Sequence, residues 1–159
     1  MADTTGKVEN QIWPMPKFLF EVQWAVNKFK LAFSEVSGLD MTAAKIEYRH
    51  GNSPKIHKIK MPGLKEYSDV TLKKGVFVGQ NQFYAWFDQI KLNTIAKGRD
   101  TITISLLNEK SKPTMVWKLL NAWPTKVTST DMNSTASDPA IETLVIAYEE
   151  LIITNKNNP

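Results

Sequence analysis

Residues 141–151 read Ile-Glu-Thr-Leu-Val-Ile-Ala-Tyr-Glu-Glu-Leu, an extended run in which both alternating phases are largely apolar. Leu144, Ile146 and Tyr148 fall on one side, and Ile141, Val145, Ala147 and Leu151 on the other. A strand of an antiparallel sandwich that met water on one face would alternate apolar with polar residues, so this one needs cover on both. The second cover is either a helix or a neighbouring subunit.

Alternation elsewhere predicts a mainly β chain. In residues 17–26, Phe18, Phe20, Val22, Trp24 and Val26 share one phase, with Glu21 and Gln23 in the other. Asn27-Lys28 turns this strand into a second one over 29–36, stopped by Ser37-Gly38, and the pair is expected to form a hairpin. Residues 39–50 make a third extended run. Pro62-Gly63 suits a type II turn, because proline presets φ at the first central position and glycine accepts the positive φ of the second, so the chain is expected to reverse there. Val70, Leu72, Val76 and Val78 then share an apolar phase against Thr71, Lys73 and Gly75. Lys74 stands in that apolar phase beside Gly75, which predicts a bulge or a close approach of another backbone.

One helix is expected. Phe83, Trp86, Phe87 and Ile90 stand at i, i+3, i+4 and i+7 behind an Asn81 N-cap, and Lys97-Gly98 closes the segment. Its aromatic face should pack on the sheets. Residues 101–107 form a strand with Ile102, Ile104 and Leu106 inward and Thr101, Thr103 and Ser105 outward. Met115, Trp117 and Leu119 continue the series against Val116 and Leu120 until Trp123-Pro124 ends it, and the Ser/Thr/Asp-rich residues 125–139 read as a surface loop.

The stretch 48–61 is different. Arg49-His50-Gly51-Asn52-Ser53-Pro54-Lys55 has turn residues but is long and basic for a hairpin tip, and neither the phase Ile56, Lys58, Lys60 nor the phase His57, Ile59, Met61 is strongly apolar. This pattern suits a two-stranded projection leaving the body of the domain, or else a flexible loop.

The chain has 159 residues, enough for one domain with a complete core, and no cysteine, which excludes disulfides and thiolate zinc sites. Residues 1–16 read as a loose N-terminal arm, 17–154 as the domain, and 155–159 as a C-terminal tail. No signal peptide and no apolar run of membrane-spanning length is found, so a soluble chain without stable membrane association is expected. The net charge of +4 is spread over scattered lysines and does not mark a nucleic-acid surface.

Chemistry-bearing patterns are weak. No phosphate loop or nucleophile elbow occurs, and His50 and His57 lack a third metal ligand. Glu149 and Glu150 are adjacent in a strand and point to opposite faces, so with Asp69 they read as surface or interface charges. Trp24, Trp86 and Trp117 fall in apolar phases and read as core, whereas Trp13 and Trp123, each before a proline, are undecided. No enzyme activity, cofactor or metal is expected.

Several motifs occur in a telling order: Phe33-Ser34-Glu35-Val36-Ser37-Gly38-Leu39, Glu47-Tyr48-Arg49-His50-Gly51-Asn52, Pro62-Gly63-Leu64-Lys65-Glu66-Tyr67, Leu72-Lys73-Lys74-Gly75, Trp86, Trp117-Lys118-Leu119-Leu120-Asn121-Ala122-Trp123-Pro124 and Glu142-Thr143-Leu144. Together they resemble the tail-tube family of contractile phages and phage-tail-like contractile injection systems, over residues 18–153. The resemblance implies an antiparallel β-sandwich or barrel with one flanking α-helix and an extended stacking loop. Hexameric rings would stack into a hollow tube inside a contractile sheath, with baseplate and terminal cap proteins at its ends. A segment equivalent to 48–61 would dock on the next ring, which points to Tyr48, Arg49, His50, Lys55, His57 and Lys58 as stacking residues. Sheets of adjacent subunits would join around the lumen, which points to Lys74, Gly75 and Glu149 as ring-closing residues. Where relatives often carry acidic residues after Gly38-Leu39-Asp40, this chain has Met41-Thr42-Ala43-Ala44-Lys45, and lumen charge stays open.

The overall likeness favours a particle assembled in the bacterial cytoplasm that carries protein effectors, ahead of a phage tail conducting DNA or a type VI secretion tube. Outside the family, the alternatives are a monomeric β-sandwich binding sugar or nucleic acid through exposed tryptophans, and a hydrolase using Glu149 or Glu150.

Overall fold

The computed structural model describes residues 17–28, 30–90 and 98–155. The expected arm, Phe29, Lys97 and the tail beyond Asn155 lie outside the described residues. The elements are β1 (Phe20–Trp24), β2 (Lys30–Leu31), β3 (Glu35–Ser37), β4 (Met41–Tyr48), β5 (Ile59–Tyr67), β6 (Val70–Gly75), α1 (Gln82–Asp88), β7 (Asp100–Leu107), β8 (Pro113–Thr128), β9 (Ile141–Ala147) and β10 (Glu150–Asn155). Every strand pairing is antiparallel.

Two sheets share β8. Its residues 113–122 pair with β7, and 115–120 also with β10; from Trp123 onward it pairs with β9. One layer thus runs β2-β1-β7-β8-β10 and the other β8-β9-β6-β3. Their inner faces meet in one core, with Val22, Trp24, Ile102, Ile104 and Leu119 from the first layer and Val70, Leu72, Leu144 and Ile146 from the second. The architecture is the expected mainly β sandwich with one flanking helix.

The first hairpin forms as expected, with Val22 opposite Leu31 and Gln23 opposite Lys30. The expected second strand does not run through to Val36. It breaks after Leu31, and β3 changes layer to pair with β6, Val36 lying opposite Leu72. Gly38 explains the stop. It has φ +88, and a Cβ there would lie 2.2 Å from the Asp69 carbonyl oxygen. Only glycine fits such a left-handed position against a backbone.

Prolines were weaker stops than expected. Pro62-Gly63 is not a turn: both residues lie inside β5, where Pro62 pairs with Lys45 across a bulge. Gly63 eases the close approach there, since a Cβ would lie 3.0 Å from the Ala44 carbonyl oxygen. Trp123-Pro124 likewise does not end β8, which continues to Thr128; Pro124 is buried opposite Ile146, next to a register shift before Lys126. In both cases the missing N–H falls where the ladder is already irregular.

The long final strand is two strands, β9 and β10, interrupted at Tyr148-Glu149. Leu144 and Ile146 are buried, while Val145 and Ala147 on the opposite side are half-buried. The expected bulge at Lys74-Gly75 is absent, since Lys74 pairs with Glu142 and Gly75 with Ile141 in unbroken register. The strand also ends at Gly75, leaving Val76, Phe77 and Val78 exposed.

Helix α1 is shorter than the period predicted. Phe83 and Trp86 are buried, Phe87 is exposed, and Asn81 makes no side-chain capping bond. Its hold on the body is aromatic. Trp24 meets Trp86 edge-on at 5.9 Å and stacks on Phe33 at 5.8 Å, and Phe33 stacks on Phe83 at 5.8 Å. The Trp86 indole donates to the Gly98 carbonyl at 2.7 Å. Such ring pairs add about 0.5–1.5 kcal/mol each beyond the area they bury. Among the described residues no helix is long and apolar enough to cross a membrane.

Lys74 is 1% exposed. Its ammonium sits 3.0 Å from the Glu142 carboxylate and 4.9 Å above the Phe83 ring. Removing Glu142's charge strands a buried ammonium, whereas replacing the lysine by an apolar residue of similar length leaves only Glu142, whose side chain still reaches water at 23% exposure. In urea unfolding, Glu142→Gln is expected to lose on the order of 3 kcal/mol, and Lys74→Met to stay within about 1.5 kcal/mol of wild type.

Candidate assembly surface

β4 and β5 form a sheet of their own, and among the described residues neither pairs with another strand. The turn expected between two projecting strands is residues 49–58. A ribbon of two strands is marginal in water unless something packs on it.

Its register separates two faces. Ile46 lies opposite Met61, and Tyr48 opposite Ile59, so these four side chains share one face, and all four are more than half exposed. Glu47 lies opposite Lys60 on the other face. There the Glu47 carboxylate takes Lys45 at 3.1 Å and Lys58 at 3.2 Å. The outer ribbon is therefore amphipathic, with an ion cluster on one side and four large apolar groups on the other.

All six expected stacking residues lie on this ribbon or its tip, and all are exposed. Several are already engaged within it. Arg49 donates to the Lys55 carbonyl at 3.2 Å and the Ser53 carbonyl at 3.3 Å, which shapes the tip. Tyr48 and His50 meet edge-on at 4.8 Å, and Lys58 is bound to Glu47. Ile46, Ile59 and Met61 were missed because each phase was weighed along one strand. Setting the alternations of 45–48 and 58–61 against each other would have revealed the shared face.

Lys74, Gly75 and Glu149 are not brought together. Lys74 and Gly75 pair with the first residues of β9, whereas Glu149 follows its far end. The Lys74 side chain points inward, and its backbone lies opposite Glu142 in the β6–β9 ladder. Glu149 ties two segments of its own subunit: Asn121 donates to it at 2.8 Å, and Arg99 pairs with it. Hydrogen bonds from Asn121 and then Arg99 hold its carboxyl below the usual glutamate range. A hydrolytic acid would need the opposite shift. The described tryptophans are buried or half-buried, so none of them offers the exposed stacking platform of a sugar or base binder.

Near the ribbon's base, Tyr67 and Tyr148 rings lie 5.8 Å apart. Burial, then Asp40, Asp69 and Tyr67, push the Tyr148 phenol above its ordinary value. Open edges lie at β2, β3, β10 and the second half of β8, each paired on one side only among the described residues. Ile152 and Ile153 of β10 are both exposed.

The family model of the T4-like virus tail tube protein gp19 matches residues 16–152. No curated protein sequence matches. Among solved structures, the chain is similar to one in the PVC sheath-tube complex of an extracellular contractile injection system in the extended state. The identity is 32%, the TM-score 0.83, and the match covers 96% of this chain and 99% of that one. It is also similar to a chain of the anti-feeding prophage cap, the AFP tube terminating cap, at 32% identity and TM-score 0.81, covering 91% of this chain and 93% of that one. Hcp1 from Flavobacterium johnsoniae shares the fold at 13% identity and TM-score 0.51, over 87% of this chain and 97% of that one.

The Glu149 clasp sets a pH dependence. A carboxyl whose pKa is lower folded than unfolded contributes stability above the unfolded value and loses it as pH falls through the folded one. The urea midpoint is expected to drop as pH is lowered through and below the ordinary glutamate range, about pH 4.3, and Glu149→Gln should flatten part of that drop. Tyr148 acts at the other end: with its pKa raised, its contribution is full below about pH 10 and lost as pH rises, and Tyr148→Phe should blunt that alkaline loss.

Proposed function

The chain belongs to the T4-like virus tail tube protein gp19 family, and from that premise we propose that it is the inner tube subunit of a contractile injection system, forming hexameric rings that stack into a hollow conduit. The observation that carries this reading is the near full-length likeness to a chain of the PVC sheath-tube complex. Its partners are then further copies of itself, a contractile sheath, a baseplate and a terminal cap. The conduit is assembled in the bacterial cytoplasm, carries protein effectors, and has no catalytic centre. Type VI tubes fit less well, since the likeness to Hcp1 from Flavobacterium johnsoniae is one of fold alone.

The fold supplies physical reasons for assembly. Open strand edges carrying exposed isoleucines are a liability in a lone subunit and vanish when a ring closes. Half-buried Val145 and Ala147 mark a face of β9 that a neighbour would finish covering. The ribbon supplies the head-to-tail contact that stacking requires. Its apolar face of Ile46, Tyr48, Ile59 and Met61 gives the burial, and the tip residues Arg49, His50, Lys55 and His57 supply the polar contacts to the next ring.

Electron micrographs of the purified chain, alone and with sheath and baseplate components, are expected to show six-fold annuli and tubes. Sedimentation as a compact monomer under all these conditions would overturn the reading. Ile46→Glu combined with Met61→Glu is expected to leave rings but shorten or abolish tubes. Lys45→Ala with Lys60→Ala, on the opposite face, should leave tube length within about two-fold, as exposed ion pairs contribute little. Deleting residues 52–58 is expected to shorten tubes as well; tubes of normal length would remove the tip from the stacking contact.

A further inference from the structure

The two layers part around a cleft of about 510 Å³ whose walls come from both: Phe20, Leu106 and Trp117 from the first and Val36 of β3 from the second. Concave apolar sites of roughly 300–1,000 Å³ are where proteins seat a bound group. Phe18, at 73% exposure, gives the mouth an apolar lip. The polar residues of the lining, Lys17, Ser34 and Glu35, are all exposed, and the two charges among them cancel. With no polar group held inside, the cleft suits a set of apolar side chains better than a polar metabolite.

We infer that the cleft receives the apolar ribbon face, Ile46, Tyr48, Ile59 and Met61, of a second copy of this chain, so that it is the receptor for the stacking contact; the inference rests on the tube reading above. Reach comes first. Ile46 and Tyr48 stand five and seven residues beyond Met41, where β4 begins, and at about 3.3 Å per residue that carries them roughly 16–23 Å from the ribbon's root. All four side chains stay more than half exposed there, so their own body does not cover them and another copy must. Charge then decides which part of that copy. Residues 45–60 hold five cations and one anion, an excess equal to the net charge of the whole chain, +4. Two ribbons face to face would repel, whereas the rest of the chain balances to zero and puts Glu35 at the cleft's mouth. Shape agrees, because a row of projecting side chains needs a concave partner, and the exposed Val76-Phe77-Val78 segment and the Ile152-Ile153 edge offer none. Since ribbon and cleft are different surfaces, each copy gives one and receives one, and the contact repeats along a stack. One such contact is smaller than the roughly 1,600 Å² of a standard interface, but subunits already fixed in a ring engage all their ribbons together.

The absence of cysteine makes the test clean. Full-length Phe18→Cys and Met61→Cys proteins are mixed in equal amounts, assembled into tubes seen in micrographs, and treated with a short bis-maleimide; products are resolved on denaturing gels and by peptide mass spectrometry. Linkage of position 18 of one protein to position 61 of the other is expected to dominate, with little when Met132→Cys, on an exposed loop, replaces Phe18→Cys. Should Phe18→Cys not form rings, Lys17→Cys beside it takes its place. Linkage chiefly between two copies of Met61→Cys would mean that ribbons pair with each other, and tubes without linkage would mean that the ribbon docks elsewhere; either result overturns the inference and leaves the tube reading standing. A wild-type chain that forms no tubes under the same conditions overturns both. As an independent check, Phe18→Lys, which sets a cation at the lip against the basic ribbon, is expected to leave rings and far-ultraviolet circular dichroism unchanged and to shorten tubes several-fold, and Phe18→Asp to shorten them less. Tubes of normal length from Phe18→Lys would overturn the assignment.

Discussion

Both sheets depend on β8, the single strand they share. At 16 residues it is well beyond the usual strand length of about 5–6. A strand of that length cannot stay in one plane in a domain of this size, and the irregularities along it show how it turns. Asn121 takes a left-handed conformation at φ 52, next to the buried Ala122, and Pro124 sits at a register shift two residues later. Asparagine tolerates that conformation better than most residues, and proline needs no ladder partner at its nitrogen. Asp100, opposite Ala122, secures the same region from the other side by accepting from the backbone N–H of Val26, Asn27 and Thr101. A bend in one continuous strand thus replaces the separate connection that two layers would otherwise require.

The ribbon is the counterpart of this economy. The two layers are joined through β8, whereas among the described residues β4 and β5 pair only with each other. Some of their charges are engaged within the ribbon, with Glu47 gathering two lysines and Arg49 closing the tip. These contacts shape the tip and the charged face and leave the apolar side uncovered among the described residues. A basic projection read from composition suggests an electrostatic contact; the register adds an exposed apolar face of Ile46, Tyr48, Ile59 and Met61.

Much of the body was legible in the sequence because two-residue alternation reports directly on inward and outward faces. Val22, Trp24, Val70, Leu72, Ile102, Ile104, Leu144 and Ile146 all went where their phase put them. What escaped were features that depend on distant partners. Pro62 and Pro124 look like stops until the opposing strand reveals a bulge. Lys74 looks like a defect until Glu142 and Phe83 arrive to surround it. Phe87 satisfies the helical period, yet the residues that α1 buries are Phe83 and Trp86. For the assembly surface, motif order located the projection, but its apolar side appears only once two weak alternations are laid across from each other.

Lys74 also carries information that the surrounding hydrophobic residues cannot. Val70 faces Ile146 and Leu72 faces Leu144, and sliding β6 along β9 by two positions would keep every aliphatic group indoors. The alternation is blind to that error. Moved two places, however, the ammonium would sit opposite Leu144 with no anion in reach, a penalty of several kcal/mol. One cation in a dry interior therefore acts as an index mark, telling two otherwise interchangeable strands where along their length to stop.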